Sequence, residues 1–221
     1  MTGLTELATL GEFFDLTAPA PHGAPTLRAF AADDAAVGAA VDATIAVLQV
    51  RRGAQDIDRR AAASTVHLGL IARIASPVIG ASALLGAVPF TGAELLVHRT
   101  DDGKLVLSAG DASAGDASAD DVLATVALLV DAFGRAESVS PLVLWGNTAS
   151  AIANAGAMVR RARPHLDQAA QQAAHALLHS DALSDAWEVD GRRFRRRSCC
   201  LYYRLPEGGL CGDCVLTAVP G

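Results

Sequence analysis

Apolar residues recur at spacings of three and four over most of the first 190 positions, which predicts a succession of amphipathic helices. Residues 4–16 read as a short helix. The stretch TLRAFAADDAAVGAAVDATIAVLQV keeps helical spacing, with weak points at the Asp33–Asp34 pair and at Gly38. AQDIDRRAAASTVHLGLIARIAS continues as a helix with its arginines on the wet face. DDVLATVALLVDAFGRA, SPLVLWGNTASAIANAGAMVRRA and HLDQAAQQAAHALLHS follow as three more. In the second of these, Ser140 suits the N-cap and Pro141 the first helical position. The period changes in AELLVHRTDDGKLVLSAG, where Leu95 and Val97, then Leu105 and Leu107, alternate around Asp-Asp-Gly, a hairpin signal. RRFRRRSCCLYYRL is the most strand-like part of the C-terminal region. AGDASAGDASADD, a tandem repeat of small and acidic residues, reads as a flexible surface loop.

Val66 to Phe90 is a long, mostly apolar run, and it raises the question of a membrane span. It contains His67, Arg73, Ser76 and Pro77, and a charge near the middle of a span costs about 2.5–3.5 kcal/mol. Two buried core helices, broken at Ser76-Pro77, fit the run better, because a residue before proline is biased out of the helical region. The opening MTGLTELATLGEFF has no basic segment and no cleavage pattern, so no signal peptide is expected. These readings place the protein in the cytoplasm, without an integral membrane span.

The chain has 221 residues, about half of them apolar, with alanine prominent and aromatics at 5%. This composition suits close-packed helices and a sizeable core. The sum is an α+β fold: a mainly helical body over residues 1–190 with a β-hairpin, and a small cysteine module over 191–221. A net charge of −6 argues against nucleic acid as a fold-wide partner, since phosphate binding draws on surplus cations. Positive charge is nevertheless concentrated in Arg-Arg-Phe-Arg-Arg-Arg at 192–197. Extended, that run puts Arg193, Arg195 and Arg197 on one face and Arg192 and Arg196 on the other. Charge on both faces suits an exposed edge, which either discourages strand pairing or docks an acidic or anionic partner.

All four cysteines lie between residues 199 and 214: Cys199, Cys200, Cys211 and Cys214. Vicinal cysteines bridge poorly, and a reducing compartment opposes a structural disulfide. The Cys-x-x-Cys lies too near the end of the sequence to open the helix of a thioredoxin-like unit. Metal remains, either as a tetrahedral zinc site or as a [2Fe–2S] centre, whose thiolates are shared between two irons.

RRRSCCLYYRLP and GLCGDCVL, with a vicinal pair, ten residues and Cys-x-x-Cys, resemble the signature of the FhuF-type ferric siderophore reductases. Weaker similarity runs through LWGNTASAIANAG and HLGLIARIASPVIGASALLG. The resemblance implies that Cys199, Cys200, Cys211 and Cys214 ligate a [2Fe–2S] cluster. It also implies reduction of a ferric siderophore substrate with release of ferrous iron, using an electron donor such as a ferredoxin or flavodoxin. An iron–sulfur electron carrier or sensor, and a zinc-stabilised binding module without redox activity, are the alternatives. Arg193, Arg195, Arg197, Trp145, Asn147 and His67 are the candidates for docking substrate or donor. Tyr202 or Tyr203 is expected to shield the cysteines from water. His175 and His179 share a helix face but lack an accompanying carboxylate motif, and read as a surface pair.

Overall fold

The computed structural model describes residues 2–53, 56–100, 103–191 and 193–220. Among the described residues there are seven α-helices: α1 Thr2–Ala8, α2 Leu27–Ala32, α3 Asp34–Arg52, α4 Arg59–Leu85, α5 Ala119–Glu137, α6 Pro141–Ala162 and α7 Asp167–Leu178. Two antiparallel hairpins interrupt them, β1 Leu96–Arg99 with β2 Leu105–Ser108, and β3 Trp187–Asp190 with β4 Arg193–Arg196. The fold is α+β with a helical body, as the periodicity predicts. β1 and β2 pair on either side of the expected turn, of which Asp101 and Asp102 lie outside the described residues, and Leu95, Val97 and Leu107 face the core from alternate positions.

α4 is the central element. It packs against α6, α7, α3, α5 and α1. Its composition explains this: alanine, serine and glycine let neighbours approach, and its buried positions run almost without a break from Ala61 to Ala81. α4 is long and apolar enough to cross a membrane, yet 56% of its most apolar stretch is buried within the protein. The expected break at Ser76-Pro77 does not occur, because one helix continues through Pro77. Proline removes one backbone hydrogen bond there, but both residues are buried among neighbouring helices that hold the helix together.

The Asp pair does break the preceding helix. Asp33 ends α2 and caps α3, accepting from the amides of Ala35 and Ala36 at 2.9 and 3.2 Å. Gly38 lies inside α3 without interrupting it. Asp58 caps α4 by accepting from Ala61. At the same end Arg59 grips the carboxylate of Glu137, whose side chain is 2% exposed, through two 2.8 Å bonds that join α4 to α5. The acidic repeat is more ordered than expected. Ser113 is buried and bonds back to Gly110, and Ser118 with Asp121 forms the capping box of α5.

Candidate metal centre

β3 and β4 set the cysteine segment against the helices, and their hairpin spans the position at which a body and a module are expected to meet. Trp187 stacks on Phe194 and donates its indole N–H to the carbonyl of Leu178 at 2.9 Å. His179 meets Trp187 edge-on and stacks on His175, so the two histidines form an aromatic bracket between α7 and the hairpin. Beyond β4 the chain crosses α6 at Gly146. A side chain there would collide with the hydroxyl of Ser198, which instead donates to the carbonyl of Leu142 at 2.7 Å. Gly208 has a similar constraint, since a Cβ would run into the backbone carbonyls of Tyr202 and Leu205.

The vicinal pair is opened by Leu201, whose left-handed backbone (φ 66°) is uncommon for a leucine. This bend turns the amide of Leu201 towards the sulfur of Cys199 at 3.4 Å, while the amide of Leu216 approaches that of Cys214 at the same distance. Cys200 and Cys211 place their sulfurs 3.7 Å apart. That close pair joins one cysteine of the vicinal unit to one of the Cys-x-x-Cys, and the Cys214 side chain also acts on the Cys199 thiol. All four are free thiols.

The spacing of the sulfurs bears on the choice of metal. A single tetrahedral ion needs four ligands around one point, and bonds of about 2.3 Å put its ligand atoms about 3.8 Å apart. The Cys200–Cys211 pair has that spacing, yet among the described residues no three metal-binding side chains converge. A binuclear centre asks less of the four sulfurs, because every iron takes two thiolates.

Arg196 underlies the centre. It is 1% exposed, and its guanidinium donates to Cys211 Sγ at 2.7 Å, Asp213 Oδ1 at 3.2 Å and Asn147 Oδ1 at 2.9 Å. Asn147 in turn donates to the hydroxyl and carbonyl of Ser64, and the Ser64 hydroxyl donates to the Cys200 carbonyl at 2.8 Å. A buried polar chain thus links α4 and α6 to both halves of the cysteine motif. Burial alone would depress the Arg196 pKa, but Asp213, Cys200 and Cys211 more than offset it and hold the cation charged. In the metal-free pair, a hydrogen bond from Cys211 and the nearby Arg196 cation push the Cys200 thiol down to about 5, and the remaining Cys211 proton is driven up. Burial raises Cys199. One buried sulfur is therefore readily available as a thiolate, the form that binds iron.

The other candidates separate. Arg195 turns inwards, donating to the carbonyls of Cys214 and Val215 at 3.2 and 2.7 Å and pairing with Asp190 at 3.1 Å. Arg197 stays half-exposed beside Asp185 and Glu188, and Arg193 is exposed. Arg192 lies outside the described residues. The expectation of an exposed edge charged on both faces fails at Arg196, because α6 covers that face with Asn147. Asn147 and His67 are both 0% exposed, so neither reaches a docking partner. His67 is a core residue, edge-on to Phe133 with neither ring nitrogen bonded. Trp145 is half-buried against the core. Tyr202 and Tyr203 are also half-buried, in the turn after the vicinal pair, where Arg204 pairs with Asp58.

Ser64, Asp213 and the buried role of Arg196 were not singled out by sequence reasoning. Arg196, the fourth arginine of the run, could have been flagged only by its alternation, which puts it on the face of Phe194 and opposite Arg193, Arg195 and Arg197. With the site's geometry established, one comparison bears on it: residues 196–216 match the family model of the FhuF 2Fe-2S C-terminal domain. The matched span starts at Arg196 and encloses all four cysteines, and it supports a [2Fe–2S] cluster as the cofactor of this module. No curated protein matches the chain.

Proposed function

We propose that the protein is a ferric siderophore reductase whose [2Fe–2S] cluster is held by Cys199 and Cys214 on one iron and by Cys200 and Cys211 on the other. The observation that carries this reading is the approach of Cys200 and Cys211 across the two half-motifs, within a segment that matches a 2Fe-2S domain. When bound, such a cluster supplies a one-electron couple. Ferric iron in a siderophore needs one electron to become ferrous, and the loss of one charge weakens every iron–oxygen bond in the chelate.

The chain's own residues would serve this chemistry in four ways. The cysteines provide thiolates, and the amides of Leu201 and Leu216 donate towards two of the sulfurs. Arg196 adds a fixed cation against Cys211, which favours the more negative, reduced state. Burial of Cys200, at 6% exposure, limits access of water to one side of the centre. Arg193 leaves positive charge on the rim, suited to an acidic one-electron donor such as a ferredoxin or flavodoxin, whereas Arg197 is matched by Asp185 and Glu188. The reading places the protein in the cytoplasm, where thiols stay reduced.

Anaerobic purification, an iron and sulfide assay and a visible spectrum test the cofactor. Two irons per chain with charge-transfer absorption are expected, and a colourless protein with one zinc would overturn it. Reduced protein mixed with ferric siderophores tests the activity. Oxidation of the cluster with release of ferrous iron is expected. If a simple oxidant reoxidises the cluster but no ferric siderophore does, the chain is a carrier or sensor.

A further inference from the structure

An open groove runs between the end of α5 and the start of α6, where the chain turns through only residues 138–140. Its volume, about 720 Å³, lies within the range of small-molecule sites, roughly 300–1,000 Å³. Val130 and Gly134 line it from α5, and Pro141 and Trp145 from α6. Pro141 and Trp145 are four residues apart and share a helix face. Leu142 beside them is 68% exposed despite its apolar side chain. Trp145 packs partly on the core and leaves the rest of its ring to the groove. Two exposed hydroxyls stand on the connection, those of Ser138 and Ser140. Ser140 holds the N-cap position of α6, yet its side chain makes no capping bond, so this hydroxyl is not tied to its own helix. The charges at the rim are Asp131 and Arg135, and Arg135 is matched by Asp34 at 3.1 Å. Apolar contact, rather than charge, therefore decides what the groove holds.

The same turn of α6 seats the chain ahead of the cysteines. The Leu142 carbonyl accepts from the Ser198 hydroxyl at 2.7 Å, and Gly146, next to Trp145, is where Ser198 crosses the helix. The following residue is Cys199, which is only half-buried. One helical turn thus carries the groove wall and the support of the cysteine segment. Arg193 lies at the other end of β4, so an electron donor drawn to that cation approaches from a different direction.

We propose that this groove seats the ferric complex, with an apolar outer group of the chelator against Trp145 and Leu142 and carbonyl oxygens accepting from the hydroxyls of Ser138 and Ser140. This rests on the reductase reading above. The ligand class is the ferric chelate whose periphery carries aryl or alkyl groups, and the groove reads that periphery rather than the atoms that bind iron. Electrons balance simply: the external donor supplies one electron, the ferric ion takes it and becomes ferrous, and the organic chelator leaves unchanged.

Redox-inert gallium(III) complexes separate binding from electron transfer. Titration calorimetry on cluster-loaded protein would compare two neutral hexadentate gallium(III) chelates with the same donor atoms, one with aromatic and one with hydroxymethyl outer groups. The aromatic complex is expected to bind about tenfold more tightly, a comparison that needs no variant. Trp145→Ala should remove about that factor. Because Trp145 also touches the core, Gly134→Leu provides a second variant. Beyond its own helix, a Cβ at Gly134 meets only the Val139 carbonyl oxygen, at 3.9 Å, so the new side chain fills the groove without collision and improves helix propensity. Gly134→Leu should keep the wild-type Tm or raise it, and weaken the aromatic complex by at least about tenfold. Equal affinity for the two complexes, or undiminished binding of the aromatic one to folded Gly134→Leu protein, would overturn the proposal. If the gallium chelates bind as expected but their ferric counterparts are not reduced, the groove stands and the reductase reading falls. If ferric chelates are reduced with the same KM by wild type and Gly134→Leu, the reductase reading stands and the groove falls.

Discussion

Replacing Arg196 with methionine removes the charge under the cysteines while keeping much of the aliphatic volume. The side chain is 2% exposed and bonds three groups that belong to different parts of the chain. Its loss leaves Asp213, a carboxylate only 15% exposed, without its cation, and Oδ2 of that carboxylate already has no partner. Breaking a buried pair from one side costs about 3–5 kcal/mol, and the partial exposure of Asp213 favours the low end. Asn147 Oδ1 also loses its donor, adding about 1 kcal/mol. A total near 4 kcal/mol corresponds to a fall in Tm of about 8–16 °C for a chain of this size. The assay is urea unfolding and calorimetry of metal-free protein, which isolates the protein's own energetics from cluster binding. Adding Asp213→Asn removes the orphaned charge and should recover about 2 kcal/mol. A loss below about 1 kcal/mol for Arg196→Met, or no recovery in the double variant, would refute the buried-cation account.

Other outcomes follow from the same geometry. In loaded protein, Arg196→Gln should shift the midpoint potential negative by on the order of 50–100 mV, because the cation favours the more negative state; spectroelectrochemistry reads this, and a positive shift would contradict it. Any single Cys199, Cys200, Cys211 or Cys214→Ser change should cut iron content and visible absorption, and undiminished iron in all four would remove the ligand assignment. Gly146→Ala gains about 1 kcal/mol of helix propensity but drives a methyl into Ser198, so a lower Tm and poorer iron retention are expected; a higher Tm would count against close packing there. His67 has a folded pKa near 3, against 6.5 when unfolded, so the unfolded chain binds a proton first and stability falls as pH drops from about 6.5 to 3. The total is on the order of 5 kcal/mol. His67→Leu should flatten that pH dependence, as urea midpoints at pH 7, 5 and 4 would show.

Periodicity and spacing carry the local information in this chain. Helical repeats around small residues, the alternation that makes β1 and β2 and the Ser140-Pro141 start are short-range features, and each is expressed where the residues dictate it. The cysteine motif is equally local: sixteen consecutive residues contain every thiol, and their pairing needs only a bend at Leu201 and the turn of Cys-x-x-Cys. Burial of polar groups is different in kind, because it depends on which surfaces meet. Five arginines in six positions look alike along the chain; α6 arriving with Asn147 makes Arg196 a buried cation, while Arg193 keeps its water. The same packing closes His67 and Asn147 off from any partner and carries α4 straight through Pro77, whose local preference would have broken it.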